Sequence, residues 1–166
     1  MITSGIIRKI DELGRIVLPK EIRKTLNINT GDDFQITVNE DKIILHKFQK
    51  LRNIENEIRK LINSFTSVNN YKIYIVIENR EVIENKRIVV NLNTIIQERK
   101  LYQKDSIEKI QIVENTIDEG RIVIHPIIKD SDLLGTIVII SKEKIIDLIN
   151  TSKIINNLIK DILDSK

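Results

Sequence analysis

Hydrophobic and polar positions change period twice along the chain. Through residue 47 the apolar residues come in short alternating runs broken by turn chemistry. Ile6–Ile10 and Arg15–Leu18 flank the turn-like Asp11-Glu12-Leu13-Gly14 and predict two short strands. Pro19 suits the first position of a helix over Lys20–Leu26, where its missing N–H costs nothing. Asn29-Thr30-Gly31-Asp32 is turn chemistry, and Phe34–Val38 and Lys42–Leu45 predict a hairpin across Asn39-Glu40-Asp41. Four short strands and two helical turns can hardly enclose a core alone. Ile6, Ile10, Ile16, Leu18, Ile22, Leu26, Ile36, Val38 and Ile44 would stay partly wet in a monomer. A dimer that shares strands would cover them.

From residue 51 the period lengthens. Leu51, Ile54, Ile58, Leu61, Phe65 and Val68 follow one another at intervals of 3, 4, 3, 4 and 3, a heptad seam with polar residues on the other faces. Such a seam serves either an amphipathic helix lying on its own domain or a linker helix that also pairs with a partner subunit.

Residues 71–166 alternate again. Lys72–Ile77 predicts a strand, followed by a turn at Glu78-Asn79-Arg80-Glu81 into Val82 and Ile83. Asn93 or Thr94 could cap a helix through Ile95, Ile96 and Leu101. Ile107–Val113, Arg121–Ile128 and Leu134–Ile140 are β-rich, the last two joined by Lys129-Asp130-Ser131-Asp132. From Ile145 to Leu163 apolar residues fall at helical spacing and predict a long amphipathic helix on the sheet. The fold class is α+β, with a domain over 1–50, a linker helix over 51–70 and a domain over 71–166.

Composition narrows the chemistry. Of 166 residues, 61 are Ile, Leu or Val and 31% are charged, a folding composition. There is no Cys, which removes disulfides, thiolate metal sites and a cysteine nucleophile, and the two histidines, His46 and His125, leave little room for a triad or a metal centre. The five glycines (5, 14, 31, 120, 135) never fall at phosphate-loop or dinucleotide spacing, and neither a Gly-x-Ser-x-Gly elbow nor HExxH occurs. A non-enzyme without cofactor or metal is expected. Arg8 and Lys9 interrupt the first apolar residues, so no secretory leader is expected. Leu133–Ile140 is too short to cross a membrane, and a cytoplasmic location follows as an expectation.

The net charge is only +3, but residues 1–24 hold six bases against three acids and so carry an excess equal to the whole. Clustered Lys and Arg displace counterions from phosphates, and arginine's planar fork reads guanine edges. Arg8 and Arg15 lie on either side of the Asp11–Gly14 turn, and Arg23 and Lys24 lie on the helix that follows. The competing description is a solvated charged face with local Arg8–Asp11 and Glu21–Lys24 pairs.

The run from Gly5 to Leu26, with Arg8-Lys9-Ile10-Asp11-Glu12-Leu13-Gly14-Arg15 and Pro19-Lys20-Glu21-Ile22-Arg23 at its centre and Ile28 and Gly31-Asp32 behind it, resembles the AbrB-type swapped-hairpin DNA-binding family. These pieces are most similar to the sporulation-regulator branch of that family. The resemblance implies an intertwined dimer whose hairpins swap strands into a small barrel, bound to double-stranded DNA. It carries the family's DNA-contacting basic positions onto Arg8, Lys9, Arg15, Arg23 and Lys24. Lys24 stands where several relatives carry Arg, which implies a phosphate contact there rather than a bidentate one. The run His125-Pro126-Ile127-Ile128, a polar turn, then Leu134 to Ser141 resembles the last hairpin of a GAF domain. That implies dimerisation or a small-molecule effector, although the stretch from 84 to 107 is short where such domains often roof their pocket. The resemblances together imply a sequence-selective transcription regulator of sporulation or stationary-phase genes, nucleoid-associated. It would be a homodimer through residues 1–50 and a homotetramer through the linker helix and C-terminal domain. Two rivals remain: an antitoxin, and a sensing or assembly module whose DNA binding is vestigial.

Overall fold

The computed structural model describes residues 5–26, 28–77, 80–90 and 98–166 and divides into two compact units, Met1–Phe48 and Gln49–Lys166. It is a mixed α+β architecture.

In the first unit, α1 (Lys20–Thr25) is followed by the antiparallel hairpin β1 (Phe34–Asn39) and β2 (Lys42–Lys47). Pro19 is the residue before the helix, at φ −56° and ψ 147°, rather than its first helical position, and its carbonyl accepts from Arg23 N–H at 3.0 Å. Glu40 at φ +54° turns the hairpin between Asn39 and Lys42. The register sets Ile36 opposite Leu45 and Val38 opposite Ile43, so these four share one face, and all four are exposed.

The expected strands over Ile6–Ile10 and Arg15–Leu18 are not formed. The two arms share one main-chain bond across the turn, Asp11 N–H to Arg15 O at 3.0 Å. A strand exists through its ladder, and among the described residues these arms have no further main-chain pairing. Their apolar side chains lie open accordingly, Ile7 at 89% and Val17 at 74% exposure.

In the second unit, α2 (Lys50–Asn53) and α3 (Glu55–Val68) lead into an antiparallel five-stranded sheet: β3 (Lys72–Ile77), β4 (Arg80–Glu81), β5 (Tyr102–Ile110), β6 (Asp118–Lys129) and β7 (Asp132–Ser141). The spatial order is β4-β3-β7-β6-β5, and α4 (Ile145–Asp164) closes the chain. Alternation splits the sheet's side chains between two cores. Ile73, Ile75, Ile77, Val123, Ile127, Ile137 and Ile139 pack with Leu51, Ile54, Ile58 and Ile62 of the first helices and Leu148, Ile155 and Ile159 of α4. Val76, Ile122, Ile124, Val138 and Ile140 pack on the other face with Ile88, Ile112 and Val113.

The heptad seam is thus largely consumed within its own unit: Leu51, Ile54 and Ile58 are buried, Leu61 and Phe65 pack against the core, and Val68 is 78% exposed. The helix breaks at Ile54, at φ −112° and ψ 24°. The strand expected over Ile107–Val113 instead spans Tyr102–Ile110. It is the sheet's edge, with no buried residue, so main-chain pairing with β6 rather than apolar alternation places it. Of the turn expected over Glu78-Asn79-Arg80-Glu81, the first two residues lie outside the described ones and Arg80–Glu81 form β4 instead. Of the helix expected from Asn93 or Thr94 through Ile95, Ile96 and Leu101, residues 93–96 lie outside the described ones and Leu101 is not helical. Asp130 and Ser131, at φ +50° and +69°, make the β6–β7 turn where expected, with positive φ at both central positions as two-residue hairpins prefer.

Candidate nucleic-acid interface

The basic residues are arranged by a small network around Asp11. Its Oδ1 accepts the N–H groups of Leu13 at 3.0 Å and Arg15 at 2.8 Å. Its Oδ2 accepts Arg15 Nε–H at 2.8 Å. Gly14, at φ +74°, donates its N–H to Asp11 O at 2.9 Å, a backbone conformation that L side chains rarely adopt. The bond from Arg15 N–H holds the Asp11 carboxyl below the usual carboxylate range. The turn therefore places Arg8 and Lys9 on its entering arm and Arg15 at its exit.

Arg23 and Lys24 sit in the last turn of α1, where cations oppose the partial negative charge of the helix C-terminus. Thr25 Oγ1 donates to Glu21 O at 2.9 Å, and Ile28 N–H to Arg23 O at 2.8 Å, which fixes the helix exit. Past it, Gly31 at φ +92° turns the chain and Asp32 Oδ2 accepts from Asn29 N–H at 2.7 Å and pairs with Lys47 at 3.2 Å.

All five basic positions, Arg8, Lys9, Arg15, Arg23 and Lys24, are exposed and belong to the first unit. Among the described residues only Arg15 of the five is ion-paired, and the Arg8–Asp11 and Glu21–Lys24 pairs do not form. Asp11 goes to Arg15 because the turn folds the exit arm back onto it, whereas Arg8 Nη1 donates to Ile7 O at 3.1 Å. The sequence suggests Arg8 as the partner of Asp11, and the structure gives it Arg15. The signal for the turn was an Asp three residues before a glycine, a pattern in which the side chain bonds nearby N–H groups.

Elsewhere the titratable groups serve the fold. Asp118 accepts Tyr74 O–H at 2.6 Å, and burial followed by this bond raises the Tyr74 pKa. Glu81 caps a turn through the N–H groups of Ile83 and Glu84, and burial raises its pKa. Half-buried His125 has Nδ1 3.0 Å from Ser152 Oγ and Nε2 3.0 Å from Asn156 Nδ2. Desolvation, then Lys160 and Lys153, push its pKa down. His46 lies across from Gln35 in the hairpin. Among the described residues no group of His, Asp and Glu could hold a metal ion, and no helix is long and apolar enough to cross a membrane.

Comparison with known proteins divides the chain at nearly the same place as the fold. Residues 7–53 match the family described as antidote-toxin recognition MazE, bacterial antitoxin. Residues 69–164 match the family described as stage V sporulation protein T C-terminal, transcription factor. The chain is 30% identical over 157 residues to stage V sporulation protein T of Bacillus subtilis, covering 87% of each chain. Over 49 residues it is 51% identical to the transition state regulatory protein AbrB of that organism and 49% identical to the putative transition state regulator Abh. Those matches cover 30% of this chain and 51% and 53% of the relatives. With its basic N-terminal unit of AbrB type ahead of that C-terminal domain, the chain belongs to the stage V sporulation protein T family of transcription factors.

Proposed function

We propose that this protein is a sequence-selective DNA-binding transcription regulator of sporulation or stationary-phase genes, working by recognition without catalysis in the cytoplasm, at the nucleoid. The observation that carries the reading is the exposed set Arg8, Lys9, Arg15, Arg23 and Lys24, four of them without an acidic partner among the described residues, in a unit half identical to AbrB over 49 residues. Lys9 and Lys24 anchor phosphates, and Arg8, Arg15 and Arg23 are the residues for base edges.

The acting form is a swapped-hairpin dimer. Ile7, Ile10, Ile16, Val17, Ile36, Val38 and Ile43 are each more than half exposed in the single chain. Burying such a side chain is worth about 1.5–3 kcal/mol. Covering even half of them brings in as much free energy as a small domain's whole stability, about 5–15 kcal/mol. The partner's arms and hairpin would be the cover, and each arm would gain the ladder it lacks. Ile146, Ile154 and Leu158, eight and four residues apart, are exposed along α4, the face through which the GAF-like C-terminal domains would pair into a tetramer. That domain tunes assembly or senses a small molecule.

The antitoxin reading shares the N-terminal family match. Antitoxins of this kind carry an acidic, unfolded toxin-wrapping tail, whereas residues 49–166 form a compact unit with two apolar cores. Gel-shift binding of the intact protein to promoter duplexes tests the proposal. A retarded complex that weakens on removal of Arg15 or Arg23 is expected. No complex at micromolar protein would overturn it in favour of a sensing or assembly module.

A further inference from the structure

Asp11 sits in the middle of the most basic stretch of the chain, on a turn between two arginines. A carboxylate there repels the phosphates that its neighbours attract. Its geometry supplies a compensating role. Oδ1 is held by two main-chain N–H groups, those of Leu13 and Arg15, so the carboxylate is fixed relative to the turn. Oδ2 then takes Arg15 by Nε at 2.8 Å. An ordinary surface ion pair joins two mobile side chains; here one of the partners is anchored.

The nitrogen that Asp11 engages is the informative detail. A guanidinium has five N–H donors, and the terminal Nη pair forms the edge that matches guanine O6 and N7. With Nε spent on Asp11, that edge has no partner among the described residues, on a side chain that is 70% exposed. Arg8 is held differently, through its own Nη1 on Ile7 O. Arg15 is thus the arginine whose reading edge is both restrained and unspent.

We propose that Asp11 is a positioning residue for base readout. It clamps Arg15 by Nε and presents the Nη edge to a guanine in the major groove, giving up some phosphate attraction for selectivity. Preorganising a flexible side chain lowers the ordering cost of the specific complex and leaves the loose, phosphate-only complex unaided. This role rests on the DNA-binding reading above.

Asp11→Asn separates the alternatives, because the amide keeps an oxygen for the two main-chain N–H groups but loses the charge on Arg15. Two probes are used with the full chain: a duplex enriched by the wild-type protein from a randomised pool, and a scrambled duplex of equal length and composition. Affinity for the scrambled duplex should rise about two- to threefold, since a negative charge leaves the phosphate-facing surface. Affinity for the enriched duplex should fall about five- to tenfold, as for a weakened base-edge contact. In an Arg15→Lys background, Asp11→Asn should no longer change the ratio of the two affinities, because lysine has no fork to orient. A parallel rise on both duplexes would make Asp11 a bystander charge, and a parallel fall with a lowered melting temperature would make it a turn former only; either overturns the proposal. A wild-type chain that enriches no duplex overturns the DNA-binding reading and this role with it. An unchanged ratio in a chain that does bind overturns this role alone.

Discussion

Arg15 concentrates the functional reading into one side chain. In the proposed complex, Arg15→Ala would remove a base-edge contact and leave Asp11 as an unopposed charge on the turn. The expected cost is about 1–3 kcal/mol on a selected duplex, together with relaxed preference at one base position. Fluorescence anisotropy on the selected duplex and its single-base variants measures both; unchanged affinity and preference would remove Arg15 from the contact set. His125 sits in a hydrogen-bond network of its own. Ser152 Oγ donates to Ile149 O at 2.8 Å, so it accepts from His125 Nδ1–H, and Asn156 Nδ2 donates to Nε2. The network therefore holds the neutral imidazole, in agreement with its lowered pKa. The sign follows from linkage: the unfolded chain takes up the proton first, so this contribution is complete above the unfolded value of 6.5 and is lost as pH falls through the folded value. In an NMR titration, one of the two histidine Hε1 signals should titrate below 6.5; a midpoint above it for His125 would contradict the network.

At the scale of elements, periodicity predicts where helices and strands lie better than it predicts what they touch. Ile58 is fully buried against the sheet and Val68 is 78% exposed, although both occupy the same heptad seam. Ile58→Ala should cost about 2–5 kcal/mol through the cavity it leaves, while Val68→Ala should stay within about 0.5 kcal/mol. Urea unfolding reads both as midpoint shifts; equal losses would mean that the seam is covered from outside as well. The β6–β7 hairpin was legible because both strands are buried on both faces and read as continuous apolar runs. Gly135 was legible only as a small residue. A Cβ there would meet Leu51 Cδ1 and Val76 O at 2.7 Å, so it marks where α2 lies against the strands. β5 was misplaced by five residues at its start because an edge strand with Lys104, Asp105, Glu108 and Lys109 carries no apolar alternation to read. The arms at 6–10 and 15–18 show the opposite failure. Their alternation predicts strands, but residues 6–10 and 15–18 form none and their apolar side chains stay exposed. The clustering of exposed basic residues was legible from local charge, yet the Asp11–Arg15 clamp was not, because Arg8 is nearer to Asp11 in sequence and only the turn decides between them.

For the whole molecule, the uncovered faces of the first unit and of α4 set the expected assembly. In the proposed strand-sharing dimer folding and association are one equilibrium, so the first unit should unfold at a temperature that rises with protein concentration. Sedimentation at micromolar protein should show a dimer or tetramer. A monomeric mass with a concentration-independent transition would remove the strand-sharing dimer. The DNA-binding claim is tested most directly by the affinity of the intact protein for a selected duplex between about 50 and 200 mM salt. If the paired basic arms neutralise about eight phosphates, log K falls against log salt with a slope near −7. A flat dependence, or a slope that survives charge removal at Arg8, Lys9, Arg15, Arg23 and Lys24, would show that this cluster is not the contact surface.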